Sequence, residues 1–272
     1  MTHVNQRISA SLHFDRCGSI GVLRLDRAHK RNALDDVTIE ALGNFFTSPP
    51  SGVSAVVLTA AGEHFCAGLD LSQLAERDAM EGVMHSRMWH AALGAMADGA
   101  VPVVAVLKGA VVGGGLELAS AAHIRIAERS AFFALPEGQR GLFVGGGASM
   151  RIPRLIGVAR MQDMMLTGRV LDAEAGERHG LATYLVGNDE GEALAFELAN
   201  TIAANSPVTN YAVLQALPRI AEVGRDEGLM MESLMAGIAQ STQEAKDSMA
   251  AFLAGTGNKV SARRSPHATE AN

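Results

Sequence analysis

Cysteine is nearly absent from this chain, and the shortage already narrows its chemistry. Cys17 and Cys66 are the only two in 272 residues. Two cannot build a disulfide framework or a paired-cysteine zinc site, which predicts a reducing compartment, the cytoplasm. Concentrated positive charge is also missing. Lys and Arg number 23 against 29 acidic residues, for a net charge of -6 and a pI of about 5.8, and the cations are scattered except at the extreme C-terminus. No nucleic-acid partner is expected. No window of eighteen residues escapes charge or glycine interruption, so no membrane span is expected. The opening stretch Met1 to Arg7 is polar and lacks the apolar core of a signal peptide.

Two catalytic signatures are absent as well. His64, His85 and His90 form no His-Glu-x-x-His element, so no metal is expected and these histidines read as structural or surface residues. There is no Gly-x-Ser-x-Gly elbow, and neither cysteine has an activating neighbour in sequence, which argues against a covalent hydrolase.

What is present is enough chain, 28.5 kDa, to bury a sizeable core. Ile8, Ala10, Leu12 and Phe14 alternate at period two, Gly18 turns the chain, and Ile20 to Leu25 makes a second strand, a predicted hairpin. Asp35 or Asp36 caps a helix carrying Ile39, Leu42, Phe45 and Phe46, which Pro49-Pro50-Ser51-Gly52 ends before a strand over 53–58. A long helix follows with Met80, Met84, Met88, Ala92 and Met96 at spacings of four, read as a packing face that could also line a pocket. Pro102 to Leu107 reads as a buried strand, and two short strands are expected over 123–127 and 131–135. From about residue 190 the pattern is helical throughout, over 192–204, 207–217, 224–239 and 244–253. These signals predict a catalytic domain over 1–190, a helical region over 191–258, and a disordered tail over 259–272.

Two carboxylates stand out. Glu117 follows the turn Gly113-Gly114-Gly115 at a helix start, and Glu137 follows Pro136; both lie among apolar residues that penalise an idle charge. They read as an acid/base pair. The glycine run brings unpaired helix N–H groups close to a ligand, an arrangement suited to an anion or oxyanion. It fits a dinucleotide fingerprint poorly, because Leu118 stands where a third glycine belongs.

Three motifs occur together: Gly62-x-x-Phe65-Cys66-Ala67-Gly68-Leu69-Asp70-Leu71, then Lys108-Gly109-x-x-x-Gly113-Gly114-Gly115-x-Glu117-Leu118-Ala119, then Pro136-Glu137. The set, with its spacing, resembles the crotonase (enoyl-CoA hydratase/isomerase) superfamily over roughly residues 10–255. The resemblance implies an α/β fold, a crotonase-like spiral of strand-strand-helix units with a C-terminal helical region, assembled as a homotrimer or homohexamer. It implies an acyl-CoA thioester substrate, with coenzyme A entering as part of that substrate and no bound cofactor. By position, the backbone N–H groups of Leu69 and Gly114 would hold the thioester oxygen. Glu117 and Glu137 would handle one water, with Glu137 as proton donor to the acyl carbon. Gly145 would help to hold that water through its N–H. Lys30, Arg31, Ala33, Ala67 and Asp70 map to the coenzyme A side of the site.

The resemblance therefore implies hydration of a 2-enoyl-CoA, with isomerisation, other enolate chemistry or silent acyl-CoA binding as alternatives. Val144 replaces the family's proline in the turn Val144-Gly145-Gly146-Gly147-Ala148-Ser149. Arg140 is expected to face solvent, and Phe252, in the family's last helix, is expected to pack rather than to touch ligand.

Overall fold

The computed structural model describes residues 4–73 and 76–256, so the tail expected over 259–272 lies outside the described residues. The chain divides into two compact units, the first ending at Thr201 and the second beginning at Ile202.

Three strands open the first unit where the alternation predicts a hairpin: β1 (Val4–Ser9), β2 (Leu12–Cys17) and β3 (Ile20–Leu25). The extra turn is at Ala10-Ser11, where Ser9 pairs with Leu12 and the Ser11 N–H donates to Ser9 Oγ. A turn of two residues preserves the parity of the alternation, so the period from Ile8 to Phe14 passes through it unbroken. β4 (Ala55–Ala60), β5 (Val103–Leu107), β7 (Ile124–Glu128) and β10 (Tyr184–Val186) then extend the sheet in parallel from β3. The seven strands run in the order β1-β2-β3-β4-β5-β7-β10. β4 and β5 are buried at every position, as strands covered on both faces should be.

A second sheet takes the alternate strands, β6 (Ala110–Val112), β8 (Phe132–Ala134) and β9 (Leu171–Asp172), in the order β6-β8-β9. β5 enters the large sheet and β6 the small one; α3 (Gly114–Ala121) follows, and then β7 and β8 repeat the division. This is the strand-strand-helix spiral. Every residue of α3 is buried, Glu117 included.

The helices explain which predicted faces hold. α1 (Asp36–Thr47) is capped by Asp35, whose side chain accepts the Thr38 N–H, and it buries Ile39, Leu42, Phe45 and Phe46 as expected. α2 (Ala79–Ala97) starts with a capping box between Asp78 and Glu81. Its core face is Trp89, Ala92, Leu93 and Met96, while Met80 and Met84 are 66% and 62% exposed. The methionine stripe is therefore not one face. At 3.6 residues per turn each step of four advances about 40° beyond a full circle, so four steps carry Met80 almost to the side opposite Met96. α4 (Ala148–Ile156), α5 (Val158–Thr167) and α6 (Ala173–His179) follow in this unit, and α7 (Gly191–Ala203) runs past its end at Thr201.

In the second unit the single helix expected over 207–217 is α8 (Pro207–Tyr211), a π-helical turn over 212–216, and α9 (Leu217–Ile220). Pro218 lacks the N–H that would bond four residues back, which favours a widened turn just before it. α10 (Arg225–Ser241) and α11 (Gln243–Leu253) follow. Phe252, expected to pack, is 60% exposed, and Met230, Leu234 and Ile238 on α10 are also exposed.

Candidate active site

The segment 65–70 is held on both sides by backbone hydrogen bonds. On one side Ala67 N donates to Arg31 O, Leu34 N to Gly68 O and Asp70 N to Leu34 O, at 2.7 to 2.9 Å. On the other, Phe65 N donates to Lys108 O, Cys66 N to Ala110 O, and Val112 N to Cys66 O. The N–H groups of Leu69 and Gly114 take no part in these ladders. Gly114 opens α3, so its N–H lies at the positive end of the helix dipole without a partner inside the helix. Gly68 has φ +96, and a Cβ there would come within 2.8 Å of Val112 O and 3.2 Å of Gly114 N. A Cβ on Gly114 would meet Leu69 N at 3.3 Å. Glycine at both places is what lets these two N–H groups, without a backbone partner among the described residues, lie side by side.

Buried polar side chains fix this segment. Asn32 is 1% exposed and adopts φ 54; its Nδ2 donates to Ala61 O and His64 O, and its Oδ1 accepts the Arg27 N–H. Asp70 is also buried. Its carboxylate accepts from the Ser72 hydroxyl at 2.6 Å, from Lys30 Nζ at 3.0 Å and from Arg27 at 2.7 Å. The Ser72 bond first, and the Lys30 bond next, hold this carboxyl well below the usual carboxylate range. Lys30 and Asp70 are thus committed to each other. Arg31 is exposed and Ala33 half-buried. Of the five residues expected on the coenzyme A side, only Ala67 lines the cavity described next.

That cavity, about 410 Å³, receives Leu69 and Gly114 on one side and both glutamates on another. Glu117 is 4% exposed, in the first turn of α3. Its Oε2 accepts the N–H groups of Gly146 at 2.5 Å and Ala148 at 3.1 Å, and its Oε1 that of Gly145 at 3.3 Å. These donors belong to the turn that begins α4, so one helix supplies the carboxylate and the start of the next cradles it. A Cβ on Gly146 would stand 2.8 Å from Oε2. The Gly145 N–H is therefore directed at Glu117, while Gly146 and Ala148 make the shorter bonds. Burial pushes the Glu117 pKa up, and the three donors and the Arg151 charge oppose it.

Glu137 has a different environment. Its Oε2 is buried with no hydrogen-bond partner among the described residues. Its Oε1 faces Gly113, where a Cβ would come within 2.7 Å. Burial raises its pKa and the charge of Glu117 raises it further, while the hydrogen bond from its own backbone N–H and, less, the Arg140 charge lower it. Arg140 is exposed, as expected, yet it also lines the cavity rather than facing solvent alone. Three backbone donors thus meet the Glu117 carboxylate and none among the described residues meets Glu137 Oε2, while burial raises the pKa of both.

α2 lines the cavity, as the pocket reading of that helix allows, but through residues other than its methionines. Gly82, His85, Ser86 and Trp89 line the cavity, as does Arg77 just before the helix. Their spacing, i, i+3, i+4 and i+7, marks one helix face and was legible, but the methionines drew attention to another. Ser86 Oγ donates to Gly145 O at 2.7 Å and so ties this wall to the turn that cradles Glu117. His85 faces Asp36 rather than a metal site, and no cluster of metal-ligating side chains occurs among the described residues.

Comparison with known proteins gives the family. The sequence model of the enoyl-CoA hydratase/isomerase family matches residues 15–257. The chain is similar to a short-chain-enoyl-CoA hydratase of Clostridium acetobutylicum, 33% identical over 87% of this chain and 92% of that one. It is 36% identical to a carnitinyl-CoA dehydratase of Proteus mirabilis, over 81% and 85% of the two chains. Among solved structures, a protein of Rhodopseudomonas palustris CGA009 described as a candidate enoyl-CoA hydratase superposes with a TM-score of 0.88. It is 56% identical, over 90% of this chain and 95% of that one.

Proposed function

The chain belongs to the enoyl-CoA hydratase/isomerase family, and we propose that it is an enoyl-CoA hydratase, adding water reversibly across the 2,3 double bond of an enoyl-CoA thioester. The observation that carries this reading is the pairing, in one cavity, of two carboxyls in unlike hydrogen-bonding environments with two N–H groups that have no partner among the described residues.

Attack of water on C3 of a 2-enoyl thioester pushes electron density onto the thioester oxygen. Leu69 N–H and Gly114 N–H form the oxyanion hole that receives it, and preorganised donors of this kind lower such a barrier by about 3 kcal/mol each. Glu117, kept anionic by its N–H cradle, takes a proton from the water as its oxygen bonds to C3. Glu137 delivers its proton to C2, so the water's oxygen and one hydrogen are added and charge is conserved. The exchange leaves the proton on Glu117, and a further water returns the pair to its starting state.

Coenzyme A enters as part of the substrate, and the chemistry requires no separate cofactor. Arg31 and Ala33, beside the Ala67 backbone, offer its nucleotide end a cation and polar backbone groups. Asp70 and Lys30 act there by fixing the loop. A cytoplasmic setting suits the two free cysteines, one exposed and one buried; among the described residues no helix is long and apolar enough to cross a membrane. The exposed apolar residues of α10 and α11 support a homotrimer or homohexamer, which light scattering on the purified protein measures directly.

A panel of 2-enoyl and 3-enoyl thioesters tests the activity. Hydration abolishes the conjugated-thioester absorbance of the 2-enoyl substrate, whereas an isomerase creates that absorbance from the 3-enoyl one. Creation without loss would replace this reading by isomerisation.

A further inference from the structure

A second set of side chains faces the same cavity, and the hydration steps use none of them. Among the described residues, Arg77, His85 and Arg140 are, with the two glutamates, the only titratable side chains on its wall, and none of the three is acidic. Asp36, in the first turn of α1, stands behind this wall. Its Oδ1 is 2.7 Å from His85 Nε2 and its Oδ2 is 3.4 Å from the Arg77 guanidinium. One carboxylate therefore serves two partners, Arg77 and His85. Arg140 forms no ion pair among the described residues, although its charge reaches Glu137.

Around these groups the wall is apolar, with Leu71, Trp89, Leu142, Phe143 and Val144. Beside this apolar surface the two guanidiniums are the groups able to meet a carboxylate, through charge and paired N–H donors together. The charges nearby are also unequal. Arg151, beside Glu117, also answers to Asp98, whereas on this wall Arg77 and Arg140 are positive and Asp36 alone stands against them, so outside the catalytic pair the wall has one guanidinium more than it has carboxylates. Leu69 and Gly114 already provide for the charge that develops on the thioester oxygen. The excess is left for a second anionic group brought by the substrate.

We propose that the acyl group itself carries a carboxylate, bound by Arg140 and Arg77 with His85 as a further donor, so that the substrate is a 2-enoyl-CoA ending in a second carboxylate. The proposal rests on the hydratase reading and adds the substrate class to it. A planar carboxylate matches the fork of a guanidinium, and such pairs combine charge with direction. A cationic acyl group would be rejected by the same wall.

The test compares kcat/KM for glutaconyl-CoA, a five-carbon 2-enoyl thioester with a terminal carboxylate, with that for the neutral 2-pentenoyl-CoA. The wild-type protein should prefer the carboxylate by about tenfold or more, and Arg140→Met and Arg77→Met should each reduce that ratio about tenfold. The CoA phosphates are the other source of an anion, so the pair is repeated as pantetheine thioesters, which lack the nucleotide. An unchanged preference there supports the acyl carboxylate. Loss of the preference on pantetheine, or its absence with CoA while 2-pentenoyl-CoA is hydrated, overturns the proposal. No turnover of any thioester overturns the hydratase reading and this proposal with it.

Discussion

Replacing each glutamate by glutamine should produce opposite effects on stability and the same effect on activity. Glu137→Gln removes a buried carboxyl whose Oε2 has no partner, so no hydrogen bond to that atom is lost. Its pKa is raised from the ordinary 4.5, first by burial and then by Glu117. A group whose folded pKa is raised contributes stability that is fully present below the unfolded pKa and lost as pH rises through the folded one. The wild type therefore loses this contribution as pH climbs above about 4.5, and glutamine, which does not titrate, does not. At alkaline pH Glu137→Gln should melt at or above the wild-type temperature, with the difference shrinking towards acid. Glu117→Gln differs in what it breaks: burial raises the Glu117 pKa as well, but its carboxylate accepts three backbone N–H bonds. An amide turns a donor towards one of those N–H groups and removes the charge from the rest. The loss is about 2 kcal/mol, or about 4–8 °C in Tm for a domain of this size. Both variants should lose about 10²- to 10⁴-fold in kcat for crotonyl-CoA. Thermal melts across pH at fixed protomer concentration, with initial rates from the thioester absorbance, read both effects. Equal destabilisation by the two substitutions, or turnover near wild type in either, would refute the assignment of anion to Glu117 and acid to Glu137.

The supporting groups give further expectations. Gly68→Ala forces a Cβ against Val112 O at φ +96; it should cost at least about 1–2 kcal/mol in a chemical melt and lower kcat/KM by disturbing the Leu69 N–H. Arg151 donates to Glu117 O at 3.3 Å, to Ser120 Oγ at 3.1 Å and to Gly146 O at 2.5 Å. Its charge lowers the Glu117 pKa, so Arg151→Met should move the acid limb of the kcat/KM profile to higher pH, a shift that loosened packing alone would not cause. Asp70 has a depressed pKa, so its contribution is present above the unfolded value near 3.8 and lost as pH falls through the lower folded one. Asp70→Asn should therefore be less stable than wild type at neutral pH, and the gap should close in strong acid, as denaturant midpoints taken across pH would show.

Much of the fold was legible because its signals are local. The Asp35 cap, the buried runs of β4 and β5, and the strand-to-helix turn at Gly113 depend on residues close in sequence. The extra turn at Ala10-Ser11 was hidden because two residues preserve parity, and the drift of the α2 methionines because a spacing of four resembles a helical repeat only over short stretches. The glutamates, Leu69 and Gly114 could be picked out by motif. The donors to Glu117 could be placed only by the tertiary fold, since Gly145, Gly146 and Ala148 approach it from the start of another helix. The same holds for Asp70, whose partners Arg27 and Lys30 lie some forty residues earlier in the chain. Arg77 and His85 carry no motif; what places them in the site is their position before and along α2.

Hydration by the paired carboxyls is tested most directly by turning over crotonyl-CoA in water enriched in both ¹⁸O and deuterium and analysing the product by mass spectrometry and NMR. Hydration predicts 3-hydroxybutyryl-CoA with one ¹⁸O on C3 and a single deuterium on C2. A product with its double bond moved and no ¹⁸O, or thioester recovered unchanged apart from exchange, would contradict it.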